Sequence, residues 1–114
     1  MKLYVDDVRE CPEGYSLFRN SAECLQFIID CVTVSINHPD EKFEIEVVSL
    51  DHDMGGAIGG DCINILNKLE YLCNTVEGFD EIISKIKFHL HSSNPVGVAN
   101  MRAVIKKNGW KEMR

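Results

Sequence analysis

Apolar and polar positions follow two periods along the chain, and the changes of period mark its elements. Leu3 to Val5 is a short apolar run that stops abruptly at Asp6-Asp7, the pattern of a buried strand delivering carboxylates at its C-terminal end. Residues 8–14, with Pro12 and Gly14, read as a loop, and Tyr15 to Arg19 as a second short strand. Asn20, with Glu23 three residues on, predicts a helix start. Leu25, Ile28, Ile29, Val32 and Ile36 then share one helical face, although the β-branched residues from Val32 to Ile36 weaken the helix end. His38-Pro39-Asp40 is a turn. Glu44 to Leu50 begins in alternation, ends fully apolar, and runs into Asp51-His52-Asp53. Four glycines between Gly55 and Gly60 free the backbone to approach a ligand or to turn sharply. Asp61 is placed to cap a helix reaching about Asn74, with Ile63, Leu66, Leu69, Leu72 and Cys73 inward. Residues 85–91 alternate strictly, with Ile86, Phe88 and Leu90 on one face and Lys85, Lys87, His89 and His91 on the other. Asn94, Pro95 and Gly109 frame a last helix, and Trp110 to Arg114 reads as a final short strand.

Strands alternating with helices predict an α/β domain with a mostly parallel sheet of four to five strands. Ligands of such sheets bind beyond the carboxyl ends of the strands. Three strands here end in polar clusters, Asp6-Asp7, Asp51-His52-Asp53 and His91-Ser92-Ser93-Asn94, which the topology brings to one edge. Only residues 8–14 separate the first two strands, too few for a helix. The helix complement is therefore reduced. Strand 85–91 is amphipathic, and Glu44 and Glu46 alternate with Ile45 and Val47, so one sheet face is expected to be partly uncovered. That face is either solvated or buries Tyr4, Val48 and Trp110 against a second copy, a homodimer.

At 114 residues the chain fits a single domain, residues 1–114. Its 45% hydrophobic and 26% charged residues are the balance of a globular protein. The net charge of −6 argues against extended nucleic-acid binding and leaves small anions possible, since a few placed donors outweigh net charge locally. Five cysteines, an odd number without CxxC spacing, argue against a disulfide framework or a thiolate zinc site. Cys24, Cys31 and Cys62 fall within apolar helical patterns, as small hydrophobes. The first residues reach two aspartates too early for a signal peptide, and no apolar run approaches the roughly 18–20 residues of a membrane span. The expectation is a cytoplasmic protein with no membrane partner.

The strand-end clusters carry the candidate chemistry. Asp6, Asp7, Asp51 and Asp53 concentrate negative charge that needs a cation or arginine to compensate it. Carboxylate oxygens suit Mg²⁺ or Mn²⁺, and nearby histidines tilt the choice towards Mn²⁺. Asp51 is the central candidate, as metal ligand or nucleophile. His91 first, then His52, are candidate acid/base groups. Arg9 and Arg19 are candidate phosphate forks. Ser92, Ser93 and Asn94, with the first amides of the last helix around Val96 and Gly97, form a candidate anion site. Blander roles compete: Asp61 and Asn94 as caps, His89 as a polar-face residue, Arg9 as a neutraliser of its acidic neighbours, and Lys106-Lys107 as partners of the helix dipole.

Asp6-Asp7 after the first strand, Asp51-x-x-Met54 after the third and Ser92 after the fourth resemble the response-regulator receiver domain. The chain is more similar to the group described as cyclic-phosphate-processing receiver domains. The residues carrying that likeness are Val5-Asp6-Asp7-Val8-Arg9, Pro12-Glu13-Gly14-Tyr15, Ser49-Leu50-Asp51-His52-Asp53 and His91-Ser92-Ser93-Asn94-Pro95-Val96-Gly97. The resemblance implies a flavodoxin/receiver-like fold, with a phosphorylated small molecule, a nucleotide or an RNA-end cyclic phosphate as partner. Receivers place a lysine after the fifth strand, and Lys111 sits too early to match it, which argues against phosphorelay. Three readings follow: a metal-dependent phosphoesterase, a non-catalytic module binding a nucleotide-like signal, and a degenerate receiver acting through protein contacts.

Overall fold

A computed structural model describes residues 1–114. Five strands, β1 (Lys2–Val5), β2 (Ser16–Phe18), β3 (Val47–Leu50), β4 (Lys87–Leu90) and β5 (Lys111–Met113), form one sheet in the order β2-β1-β3-β4-β5. All four ladders are parallel. The helices are α1 (Ser21–Asn37), α2 (Ile63–Thr75), α3 (Phe79–Ile83) and α4 (Pro95–Lys107). This is the parallel α/β architecture the alternation predicts, and the receiver-like fold that the resemblance implies.

Topology explains why one face of the sheet lacks helices. The crossovers from β2 to β3, β3 to β4 and β4 to β5 all step in the same direction across the sheet. Right-handed connections therefore place α1–α4 on one side. They pack there on one another, α1 on α2 and α3, and α2 on α3 and α4. Only the step from β1 to β2 runs the other way, and it is made by the loop 8–15. That loop covers Tyr4, whose ring meets Tyr15 edge-on at 6.0 Å. The rest of the face presents Lys2, Lys87, His89, Lys111 and Met113, with Val47 and Ser49 between them.

The core lies between sheet and helices. Leu3, Val5, Val48, Leu50 and Phe88 from the strands meet Cys24, Ile28 and Val32 of α1, Leu66 and Leu69 of α2, and Met101 and Ile105 of α4. Each such side chain contributes about 1.5–3 kcal/mol by leaving water. Val48 and Trp110 belong to this core, with Trp110 packed 5.5 Å from Phe88. The expectation that they line the open face is therefore corrected; only Tyr4 lies there. Val47–Leu50 is buried on both faces, so its hydrophobic pattern hides which residue points where.

The ends of α1 and α4 form as predicted. Asn20 Oδ1 accepts from Glu23 N at 2.8 Å, and Asn94 Oδ1 from Gly97 N at 3.0 Å. The start of α2 is different. Cys62 occupies the cap position with no side-chain bond, while Asp61 Oδ1 accepts from Met54 N at 3.1 Å. Asp61 thus pins the preceding loop and does not cap the helix. Along α2 the fully buried residues are Ile65, Leu66 and Leu69, whereas Ile63, Leu72 and Cys73 are half-buried at the core's margin. Helix α3, unpredicted, buries Phe79, Ile82 and Ile83. The glycine-rich loop lies on the start of α1, where Ser21 Oγ donates to Gly60 O at 2.8 Å. At Gly59 (φ +93°) a Cβ would come 2.5 Å from Ala22 N, so glycine there serves chain packing. No helix is long and apolar enough to cross a membrane.

Candidate functional site

The parallel ladders continue one residue past β1, β3 and β4, and this fixes the site. Asp6 N donates to Phe18 O at 3.1 Å, Asp51 N to Val5 O at 3.0 Å, and His91 N to Leu50 O at 3.0 Å. Asp6, Asp51 and His91 therefore stand side by side at the carboxyl edge of the sheet. Carboxylate oxygens of Asp6, Asp7 and Asp51 lie within 4.8 Å of one another, with Asp6 and Asp51 buried. The donor set is oxygen only, which fits a hard cation such as Mg²⁺ or Mn²⁺.

Asp6 is the most constrained of the three. Its Oδ1 accepts from Val8 N at 3.0 Å and Arg9 N at 2.8 Å, and its Oδ2 lies 3.0 Å from His91 Nε2. Burial pushes the Asp6 carboxyl up, but the two backbone amides and His91 together outweigh it and hold it below its ordinary range. Asp51 Oδ1 accepts from His52 N at 2.8 Å. Asp7 Oδ2 lies against Gly55, where a Cβ would stand 3.1 Å away.

His91 is packed rather than free. Its ring stacks on Tyr4 at 4.2 Å, its Nδ1 lies 2.8 Å from Ser49 Oγ, and its side chain is 9% exposed. Burial lowers its pKa against the opposing pull of Asp6. Both ring nitrogens are occupied.

Asp6 and His91 give the fold a defined acid response. Asp6 binds its proton less readily folded than unfolded, so the stability it contributes is present above the unfolded carboxyl value and is lost as pH falls through the folded one. His91, depressed from 6.5, adds a loss of the same sign that begins below 6.5, where the unfolded chain takes up a proton the buried ring refuses. Thermal melts followed by circular dichroism should hold level between about pH 7 and 8 and decline below that range. The decline should steepen in the carboxylate range, and His91→Gln should remove its upper part.

The remaining predicted residues separate into two groups. The Asp53 carboxylate does not join those of Asp6, Asp7 and Asp51 but groups with His52 and Asp61, whose ligand atoms lie within 4.8 Å of one another. His52 Nδ1 lies 2.7 Å from Asp53 Oδ1, and Asn94 Nδ2 donates to both Asp53 oxygens at 3.1 and 3.2 Å. The bonds from His52 and then Asn94 hold Asp53 below the usual carboxylate range. Asn94 thus caps α4 and tethers Asp53 at once. His52 Nε2 has no hydrogen-bond partner in the protein. Ser92 Oγ accepts from Asn94 N at 3.1 Å, and Ser93 is exposed.

Of the two arginines, Arg9 stands at the cluster and Arg19 braces the chain. Arg9 Nε lies 3.7 Å from Asp6 Oδ2, its Nη1 donates to His91 O, and 41% of its side chain faces solvent. Arg19 Nη1 donates to the backbone carbonyls of Arg9 at 2.7 Å and Asp6 at 3.2 Å, so it holds the loop after β1. Lys111 sits level with Lys87 and Val47, at the other end of the strands from Asp51. Two clefts, of about 440 and 390 Å³, open away from the acidic cluster.

Three residues take parts that their sequence positions did not reveal: Ser49, which bridges to His91; Tyr4, which stacks on it; and Gly97. A Cβ at Gly97 would fall 2.3 Å from His52 Cγ, so the imidazole rests directly on the first turn of α4. Gly97→Ala should destabilise the fold by about 1–3 kcal/mol through this overlap. A lowered urea midpoint with an unchanged slope would register it.

The family described as the cyclic-phosphate processing receiver domain matches residues 1–107. Neither a curated protein nor a solved structure matches the chain. With nearly its whole length covered, the chain belongs to the cyclic-phosphate processing receiver domain family.

Proposed function

We propose that this receiver-like domain binds and hydrolyses a phosphate ester at the edge formed by Asp6, Asp7 and Asp51. The family description suggests a nucleotide or RNA-end cyclic phosphate as substrate class. The observation that carries the reading is the convergence of three carboxylates from two adjacent strand ends, two of them buried. Asp6, Asp7 and Asp51 would hold Mg²⁺ or Mn²⁺, which supplies Lewis acidity to a phosphoryl oxygen and lowers the pKa of a water.

The chain's own residues do the rest. Two backbone amides and His91 hold the Asp6 carboxylate deprotonated and in one orientation. Arg9, half solvent-facing beside Asp6, supplies a guanidinium for the non-bridging phosphoryl oxygens. Ser92, Ser93 and the start of α4 add neutral donors. His52 is the acid/base group: Asp53 orients its Nδ1 and leaves Nε2 available. In hydrolysis of a cyclic phosphodiester, Nε2 takes the proton of the attacking water as the new P–O bond forms. It then returns that proton to the ribose oxygen whose P–O bond breaks, giving a monoester.

The test is phosphorus NMR of the protein with nucleoside 2′,3′-cyclic phosphates, with and without Mn²⁺. Monoester resonances that require Mn²⁺ are expected. Saturable line broadening without turnover would favour the non-catalytic signal-binding module instead.

A further inference from the structure

Ser49 is a fully buried hydroxyl in the middle of an apolar strand, and it lies between two histidines. Its Oγ is 2.8 Å from His91 Nδ1 and 2.9 Å from His89 Nδ1, and His91 Nε2 is 3.0 Å from Asp6 Oδ2. The register places Tyr4, Ser49 and His89 side by side on the open sheet face, so this chain of groups runs along that face to the acidic edge.

Counting protons fixes the direction of every bond. Two backbone amides on Asp6 Oδ1 and the Arg9 guanidinium 3.7 Å from Oδ2 favour the ionised carboxylate, so Asp6 Oδ2 accepts and His91 Nε2 carries hydrogen. A neutral His91 then has a bare Nδ1, which accepts from the Ser49 hydroxyl. That hydroxyl has a single hydrogen, so it must accept from His89, whose Nδ1 therefore carries hydrogen. The two neighbouring histidines are opposite tautomers.

We infer that Ser49 is a positioning residue, whose hydroxyl, seated on His89, locks the ring and tautomer of His91 and thereby the orientation of the Asp6 carboxylate. The inference rests on the proposed metal role of Asp6 only for its consequence; the tautomers stand on the geometry alone. Partners that orient a ligand in this way typically carry about 10–100-fold in metal affinity.

The test is long-range ¹H–¹⁵N correlation on the full chain at about pH 8, where ordinary imidazoles are neutral. Hydrogen on His91 Nε2 and on His89 Nδ1 is expected. Ser49→Ala should release His89 to a mixture of tautomers and weaken Mn²⁺ binding by about tenfold or more, while Ser49→Thr, which keeps the hydroxyl, should retain both signatures. Hydrogen on His91 Nδ1, or His89 carrying it on Nε2, would overturn the inference in the wild type alone, whatever the folding of the variants. Wild-type protein that shows the opposite tautomers but binds no Mn²⁺ would uphold the arrangement and sink the metal reading of Asp6.

Discussion

Asp51→Asn should raise the melting temperature of the metal-free protein and abolish the further rise that Mn²⁺ gives the wild type. Both effects come from the crowding of Asp6, Asp7 and Asp51 within 4.8 Å. Without a cation their mutual repulsion disfavours the fold, and removing one charge relieves it. Asparagine keeps the shape and can still accept from His52 N through its own Oδ1, so the backbone bond at that position survives. With a cation the balance inverts. A ligand at a hundred times its Kd stabilises by about 2.7 kcal/mol, on the order of 10 °C for a domain of this size. Loss of a directly bound carboxylate should weaken the cation by more than the roughly 10–100-fold of an outer partner. Differential scanning fluorimetry with and without Mn²⁺ reads both effects. A variant that melts lower without metal, or gains as much from Mn²⁺ as the wild type, would show that Asp51 is a packing residue.

His52→Gln should lower turnover of a cyclic phosphodiester by about 10²–10⁴-fold, the usual contribution of a positioned acid/base group. It should leave the Mn²⁺-induced stabilisation intact, because His52 Nδ1 is bonded to Asp53 and His52 supplies no atom to the group of Asp6, Asp7 and Asp51. His91→Gln should act the other way round, weakening Mn²⁺ through Asp6 before it touches the proton transfers. The two histidines are chemically alike, and their surroundings divide the work. His91 spends both nitrogens on Ser49 and Asp6, whereas His52 spends one on Asp53. A stopped assay comparing the two variants at saturating Mn²⁺ separates these roles. Equal turnover by His52→Gln and wild type would remove His52 from the chemistry.

Much of this edge was legible in the sequence because apolar runs stop at acids. Leu3–Val5 before Asp6 and Val47–Leu50 before Asp51 mark strands whose next residues face the same crevice. The single-sided helix layer was legible too, in the seven loop residues, 8–14, that the sequence leaves between the first two strands. Asp53 was misplaced because nothing in Asp51-His52-Asp53 says that the ladder ends at Asp51 and the next residues turn towards α4. Asp61 offered a cap by residue type alone, and Met54 N claimed its oxygen. The five-residue α3 is too short to display a helical period. Ser49 did leave a signal, a hydroxyl within a continuous apolar strand, and burial is what turns such a group into a demand for partners. His89 looked like a solvated position because alternation reports which face a residue occupies and not what meets it there.

The proposed chemistry requires Asp6, Asp7 and Asp51 to form a metal centre. Electron paramagnetic resonance of Mn²⁺ titrated into the protein tests it most directly, with wild type and Asp51→Asn in parallel. One protein-bound Mn²⁺ per wild-type chain is expected, with a signal that changes when a nucleoside 2′,3′-cyclic phosphate is added, and a largely free signal in the variant. Free Mn²⁺ in the presence of the wild type, or equal binding by the two proteins, would contradict it.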